Sequence, residues 1–160
     1  MRRSDREVTE FTDILSIVEK CEVLRIALID GEKPYLVPLN FGYEADGDSL
    51  TLYMHSAGEG RKIDIIRKSP EVCFEMDCSF QLVKADSPCN WTGEYESVIG
   101  EGQISILEDP EAKKHAMDAI MKKYGFEGMP EYNPAALART ALLKIEVRQM
   151  TGKRHLMPHS

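Results

Sequence analysis

The chain lacks any apolar run near the ~18 residues that a membrane-spanning helix needs, and no hydrophobic segment follows its basic start, MRRSDREVTEF. A spanning helix and a secretory leader are therefore not expected, and the expected location is the cytoplasm. Cysteine is scarce: Cys21, Cys73, Cys78 and Cys89 contain no CxxC pair. In a reducing compartment they read as buried or half-buried free thiols rather than as disulfides or zinc ligands. Positive charge is also short, with 20 Lys and Arg against 27 Asp and Glu and a net charge of −7. That balance argues against a nucleic-acid partner. No internal repeat or low-complexity tract occurs, and neither phosphate-binding glycine signature is present. GEGRK lacks the GxxxxGK[ST] spacing, and no GxGxxG follows a strand. His155 and His159 are four apart, but they stand in a basic end, KRHLMPHS, that reads as a loose tail and not as a metal site.

What is present fits one globular domain over residues 1–160, with 42% apolar and 29% charged residues among its 160. Phe11, Ile14, Leu15 and Val18 recur at helical spacing and predict an amphipathic helix over 9–20 with Thr9 as N-cap. Strands are expected at 23–29, 35–43, 49–55, 71–83, 95–107 and 141–152, from β-branched runs and alternation bounded by turn formers such as Asp30-Gly31 and Asp46-Gly47. Gly100 and Gly102 permit a bulge in the fifth of these. Ile63, Ile65 and Ile66 mark a short helix that ends before Pro70. Asp109-Pro110 opens another, with Ala116, Ile120, Met121 and Tyr124 on its apolar face and Gly125 at its end. NPAALAR can add one helical turn. Six strands, mostly joined by connections too short for crossover helices, predict a mainly β fold: a closed or nearly closed antiparallel barrel with flanking helices.

The stretch LYMHSAGEGRKIDII passes from a strand through small residues to Arg61 and Lys62 at a helix start. Glycines let a backbone approach an anion, free amides of a first helical turn point at it, and two cations add charge-assisted hydrogen bonds. The plain alternative is a solvated loop with two surface cations. Pro38 cannot donate to a ladder, so residues 37–40 are expected to form a bulge or edge beside the strand ending at His55, with backbone groups free for a heteroaromatic ring. His55 itself is either a hydrogen-bond or proton donor or a strand-end histidine satisfied by a carbonyl. Trp91 reads as a core or interface aromatic, and Glu94 and Glu96 as solvated charges.

Four motifs in order, PYLVPLNFGY, LYMHSAGEGRKIDIIRKSPEVCFEMD, CNWTGEYESVIGEGQISIL and MTGKRH, resemble the flavin-binding split β-barrel proteins related to pyridoxamine 5′-phosphate oxidase, and within them the 5-nitroimidazole-resistance branch. The resemblance implies a six-stranded antiparallel split barrel and an FMN site at a homodimer interface. It implies that Val37, Pro38, Leu39 and Asn40 run along the isoalloxazine, that His55, Ser56 and Ala57 lie near ring and ribityl chain, and that Arg61 and Lys62 clasp the phosphate. Trp91, Tyr95 and Ser97 would contribute from the partner subunit or barrel wall, with Lys153 and Arg154 closing over the site. The catalytic role falls to His55, and the implied activity is reduction of a small molecule such as a nitroimidazole. In the oxidase a basic residue stands where Asn40 falls, so vitamin B6 oxidation is not what the resemblance implies here. Two other readings stay open: a protein that holds flavin, deazaflavin or haem without turnover, and a structural dimer with a vestigial site.

Overall fold

A computed structural model describes residues 3–157, and within them a single eight-stranded antiparallel sheet carries four flanking α-helices. The elements follow as β1 (Glu7–Val8), α1 (Phe11–Lys20), β2 (Leu24–Asp30), β3 (Lys33–Leu39), β4 (Phe41–Asp46), β5 (Ser49–Ala57), α2 (Arg61–Lys68), β6 (Glu71–Val83), β7 (Thr92–Leu107), α3 (Pro110–Lys123), α4 (Pro134–Arg139) and β8 (Thr140–His155). Strands are hydrogen-bonded in the order β3-β2-β6-β7-β8-β5-β4, and β1 adds to β8.

The two ends of that order, β3 and β4, are consecutive in the chain and separated only by Asn40. One residue thus joins opposite edges of the sheet, which curls it into a barrel split along the seam between β3 and β4. The strand expected over 35–43 is corrected accordingly. Val37, Pro38 and Leu39 pair with Ile26, Arg25 and Leu24 of β2, not with the strand that ends at His55, and only from Phe41, opposite Met54, does the chain join β5. Pro38 is tolerated because β3 is an edge strand.

Two long strands, β7 and β8, form the spine, with partners running from Tyr95↔His155 to Leu107↔Leu142. The glycine pair bends it as expected: the ladder shifts between Glu101 and Gly102. A Cβ on Gly102 would lie 2.3 Å from the Glu146 carbonyl oxygen, so no larger residue fits. Inside the barrel lie Leu24, Ile26, Leu28, Phe41, Leu52, Met54, Phe74, Met76, Leu143 and Ile145, all 0–1% exposed. Ile14, Ile17 and Val18 of α1 join that core, whereas Tyr53, Leu142 and the α3 residues Ala116, Ala119 and Ile120 form a second layer.

Several local expectations change. The N-cap of α1 is Glu10, not Thr9, and has no side-chain cap. Asp109 does cap α3, accepting from the Ala112 amide at 2.8 Å. His155 is no loose tail: it ends β8 and its Nδ1 lies 2.8 Å from the Gly93 carbonyl oxygen. His159 lies outside the described residues. Cys21 is buried and Cys78 half-buried, but Cys73 and Cys89 are exposed, and all four are free thiols. No helix among the described residues is long and apolar enough to cross a membrane.

Candidate functional site

The corner builds itself from β5 and α2. β5 runs to Ala57, paired with Thr140, and the chain turns through Gly58, Glu59 and Gly60 into Arg61. Gly60 is the N-cap of α2 with φ 114°, a conformation that only glycine adopts without strain, and a Cβ there would meet open space. Gly58 lies so close to the Arg139 carbonyl oxygen, 3.1 Å from its would-be Cβ, that a larger residue crowds the turn. The amides ahead of the first helical bond, Asp64 to the Gly60 carbonyl, have no intrahelical acceptor. Ile63, Ile65 and Ile66 bury the opposite face of the helix and fix how it sits.

Arg61 and Lys62, adjacent in sequence, have different surroundings. Arg61 Nε donates to Asp30 Oδ2 at 2.8 Å, and its guanidinium lies 4.4 Å from the centre of the Tyr35 ring. Both partners belong to the β2–β3 hairpin. Lys62 is half-buried, has no hydrogen bond or ion pair among the described residues, and its ammonium pKa is pushed down by desolvation alone. A cation that has lost water without gaining a counter-charge is unfavourable unless something negative arrives.

Residues 37–40 divide between two faces. Val37 and Leu39 pack on the barrel core, while Pro38 and Asn40 point outward and are exposed. At the seam, sequence reasoning missed Tyr124. Its hydroxyl donates to the Glu22 carbonyl at 2.5 Å and accepts from Asn40 Nδ2 at 3.2 Å and from the Phe41 amide at 3.3 Å. This one phenol holds the strand break and orients Asn40. Its place in the apolar face of α3 was legible; its polar end was not. His55 is exposed opposite Leu142 and makes no hydrogen bond among the described residues, so the carbonyl-satisfied reading does not apply. Ser56 Oγ donates to the Ala57 carbonyl at 2.9 Å.

The remaining candidates lie elsewhere on the chain. Tyr95, Ser97 and Lys153 cluster with Arg6: Ser97 pairs with Lys153, Arg6 Nη1 donates to the Tyr95 hydroxyl at 3.3 Å, and Lys153 Nζ lies 5.4 Å from the Tyr95 ring centre. Burial raises the Tyr95 phenol pKa, but Arg6 and Lys153 outweigh it and the net direction is down. His55 faces Leu142 on β8, and Lys153 stands eleven residues further on, roughly 36 Å along the strand at ~3.3 Å per residue. The two groups therefore lie toward opposite ends of β8 within one chain. Trp91 sits at the tip of the β6–β7 arm, its Nε1 donating to the Ala85 carbonyl at 2.8 Å.

Arg154 and Glu96 require correction. Lys153 and Arg154 alternate across β8, and Arg154 turns inward beneath α1, where its Nε donates to Glu96 Oε1 at 2.6 Å. Glu94 and Glu96, expected in solvent, are 5% and 2% exposed. Glu96 also receives Lys20 at 2.5 Å and Ser79 at 3.1 Å, so Arg154 is held in an ion-pair network and does not reach over the corner. The Gly152 of the same tail is structural, because a Cβ there would lie 2.9 Å from the Val8 side chain.

A cleft of about 540 Å³ between α1, β4 and α3 is lined by Glu19, Tyr43, Glu44, Asp46, Lys122 and Lys123, and contains none of the corner residues.

Comparison with known proteins adds the following. The family model described as pyridoxamine 5′-phosphate oxidase matches residues 10–154. Among solved structures, a candidate 5-nitroimidazole antibiotic resistance protein from Bacteroides thetaiotaomicron is 34% identical, with a TM-score of 0.79, over 92% of this chain and 85% of that one. The flavocytochrome Anf3 from Azotobacter vinelandii (17% identity, TM-score 0.83, 99% and 73% covered) shares the fold. So does an FAD and haem binding protein from Mycobacterium smegmatis (16%, 0.80, 97% and 76%). No curated protein matches the sequence.

Proposed function

The chain belongs to the pyridoxamine 5′-phosphate oxidase family, and on that premise we propose that it is a flavin-dependent oxidoreductase, binding FMN between the subunits of a homodimer and reducing small nitro compounds of the nitroimidazole type. Lys62 carries this reading: a desolvated ammonium with no counter-charge among the described residues, beside helix-start amides without an intrahelical acceptor and a turn without bulky side chains. A phosphate monoester supplies the missing charge. Lys62 and the first amides of α2 hold it, while Arg61, tethered to Asp30, contributes at longer range.

The planar end of the cofactor lies along the seam. Backbone groups of 37–40 on the exposed edge and the Asn40 amide, fixed by Tyr124, meet its polar rim, and Ser56 and Ala57 line the path from phosphate to ring. The bound flavin supplies the electron transfer. His55, exposed at the end of β5, donates a hydrogen bond or proton to the acceptor. Tyr95, Ser97, Lys153 and Trp91 reach the same flavin from the second subunit. The distance along β8 supports that division, as do Ile29 and Leu36, each 61% exposed on the hairpin that carries Asp30 and Tyr35.

The 34% identity to a protein associated with 5-nitroimidazole resistance favours a nitro compound as acceptor. A second reading, a flavin or haem carrier without turnover, is favoured by the likeness in fold to a flavocytochrome and to an FAD and haem binding protein. The absorption spectrum of the purified protein separates them: flavin bands in the blue support the first, a Soret band the second. Reduction of a nitroimidazole by the FMN-loaded, chemically reduced protein then tests turnover. Absence of FMN fluorescence quenching in a titration ends the flavin reading.

A further inference from the structure

Cys21 and Cys78 come from distant parts of the chain and converge on one atom. The Cys21 amide, at the C-cap of α1, donates to the Ile17 carbonyl oxygen at 3.1 Å, and Cys78 Sγ lies 4.0 Å from that same oxygen. Cys21 is fully buried and Cys78 half-buried. The Lys123 ammonium is anchored at 2.7 Å on the Glu19 carbonyl at the end of the same helix. Ser79 Oγ lies 3.6 Å from Cys78 Sγ. On the β6 side the ladder is interrupted between Cys78 and Gln81, and Ser79 has φ 59°, so Cys78 sits at an irregular, adjustable stretch of strand.

We propose that Cys21 and Cys78 are a peroxide-oxidisable dithiol that closes to an intramolecular disulfide, fastening the end of α1 to β6. The order of events follows from access. Cys78 is the thiol that solvent reaches, and as thiolate it is the nucleophile. It attacks a hydroperoxide, ROOH; the O–O bond breaks, Cys78 becomes the sulfenic acid and ROH leaves. Cys21, held neutral by burial and shielded from direct attack, is the resolving thiol. Its sulfur displaces hydroxide from the Cys78 sulfenic acid, the thiol proton goes with it, and water leaves. In sum two thiols and one hydroperoxide give one disulfide, one alcohol and one water.

The test uses the full chain carrying Cys73→Ser and Cys89→Ser, which removes the two exposed thiols and leaves only the proposed pair. After treatment with hydrogen peroxide, intact mass spectrometry is expected to show a monomer lighter by two hydrogen atoms, resistant to alkylation when denatured and restored by a thiol reductant. Adding Cys21→Ser should stop the reaction at a Cys78 sulfenic acid that dimedone traps. An unchanged mass, a gain of oxygen at Cys78 with Cys21 still alkylated, or a disulfide only between chains would each overturn the proposal.

Discussion

Arg61 and Asp30 form a 2.8 Å ion pair, and the guanidinium rests over the Tyr35 ring as well, so the first of two neighbouring cations is already committed to the β2–β3 hairpin. Lys62 is not committed to any partner among the described residues. The two should therefore differ on substitution. Lys62→Ala is expected to weaken FMN binding by about 1.5–3 kcal/mol, the range for a hydrogen bond to a charged group. Arg61→Ala should cost less affinity, about 1 kcal/mol, because its guanidinium, tethered to Asp30, acts on the phosphate only at longer range. Fluorescence titration of both variants checks this, and equal affinities for wild type and Lys62→Ala would refute the phosphate assignment.

If each flavin is held by Lys62 of one subunit and Lys153 of the other, two defective variants complement. Lys62→Met and Lys153→Met homodimers should each bind FMN poorly. In a mixed dimer both lesions fall on one site and the second site is intact, so about half the wild-type flavin stoichiometry returns at wild-type affinity. Failure of co-expressed, doubly tagged dimers to regain a tight site would show that the two lysines serve different sites.

How far the sequence foretold this differs from element to element. Alternation and turn chemistry marked every long strand, and Asp109-Pro110 located α3, because those signals are local. The split at Asn40 was hidden, since nothing in FGYEAD states that its partner is β5 while PYLVPL pairs with β2. Strand partnership is a non-local property. The same reason misplaced Glu96 and Arg154. Each looks like a surface charge alone, and only the β7–β8 register brings them together beneath α1. The cations at 61 and 62 were found by pattern, but their inequivalence depends on the hairpin that reaches Arg61.

Glu96 makes stability depend on acid. Burial raises its pKa, the hydrogen bonds from Lys20, Arg154 and Ser79 lower it, and the net direction is below the usual 4.5. A carboxylate with a depressed folded-state pKa stabilises the fold above its unfolded pKa, and loses that contribution as pH falls through the folded value. Glu96→Gln should cost about 2 kcal/mol at neutral pH, the worth of a charge-assisted hydrogen bond with partly exposed partners. In urea unfolding, the gap between wild type and variant should narrow as pH falls below the ordinary glutamate range, where the carboxylate protonates. A gap independent of pH would contradict the ionic role.

Tyr124→Phe removes one hydroxyl and leaves three groups without it. The Phe41 amide loses its acceptor on Tyr124, the Asn40 side chain is freed, and the Glu22 carbonyl loses a donor. Because Tyr124 is 43% exposed, water replaces part of this and the stability cost should be about 1 kcal/mol. The informative measurement is local. Hydrogen exchange at the Phe41 amide should accelerate well beyond that of Leu52 or Ile145 in the barrel core, and unchanged protection there would mean that the hydroxyl does not hold the seam.

Gly42 sets how closely α3 approaches the sheet. A Cβ at this position would lie 2.4 Å from both the Ala119 carbonyl carbon and the Ile120 nitrogen, and 2.5 Å from the Ala119 oxygen. These are main-chain atoms, so no rotamer change relieves the contact; either β4 or the helix must move. Moving α3 would disturb Ala116, Ala119 and Ile120 against Tyr53 and Leu142, and would draw Tyr124 away from Asn40 at the far end of the same helix. Gly42→Ala is therefore expected to cost about 3 kcal/mol, the upper end for an inserted methyl group in a packed layer. Ala119→Gly should not rescue it, because the clashing atoms remain. Gly47→Ala, where a Cβ meets open space but φ is 56°, supplies the contrast: its smaller loss, about 1 kcal/mol, comes from backbone strain alone. Thermal unfolding of the three variants decides it, and rescue of Gly42→Ala by Ala119→Gly would show that the side chain, not the helix backbone, sets the spacing.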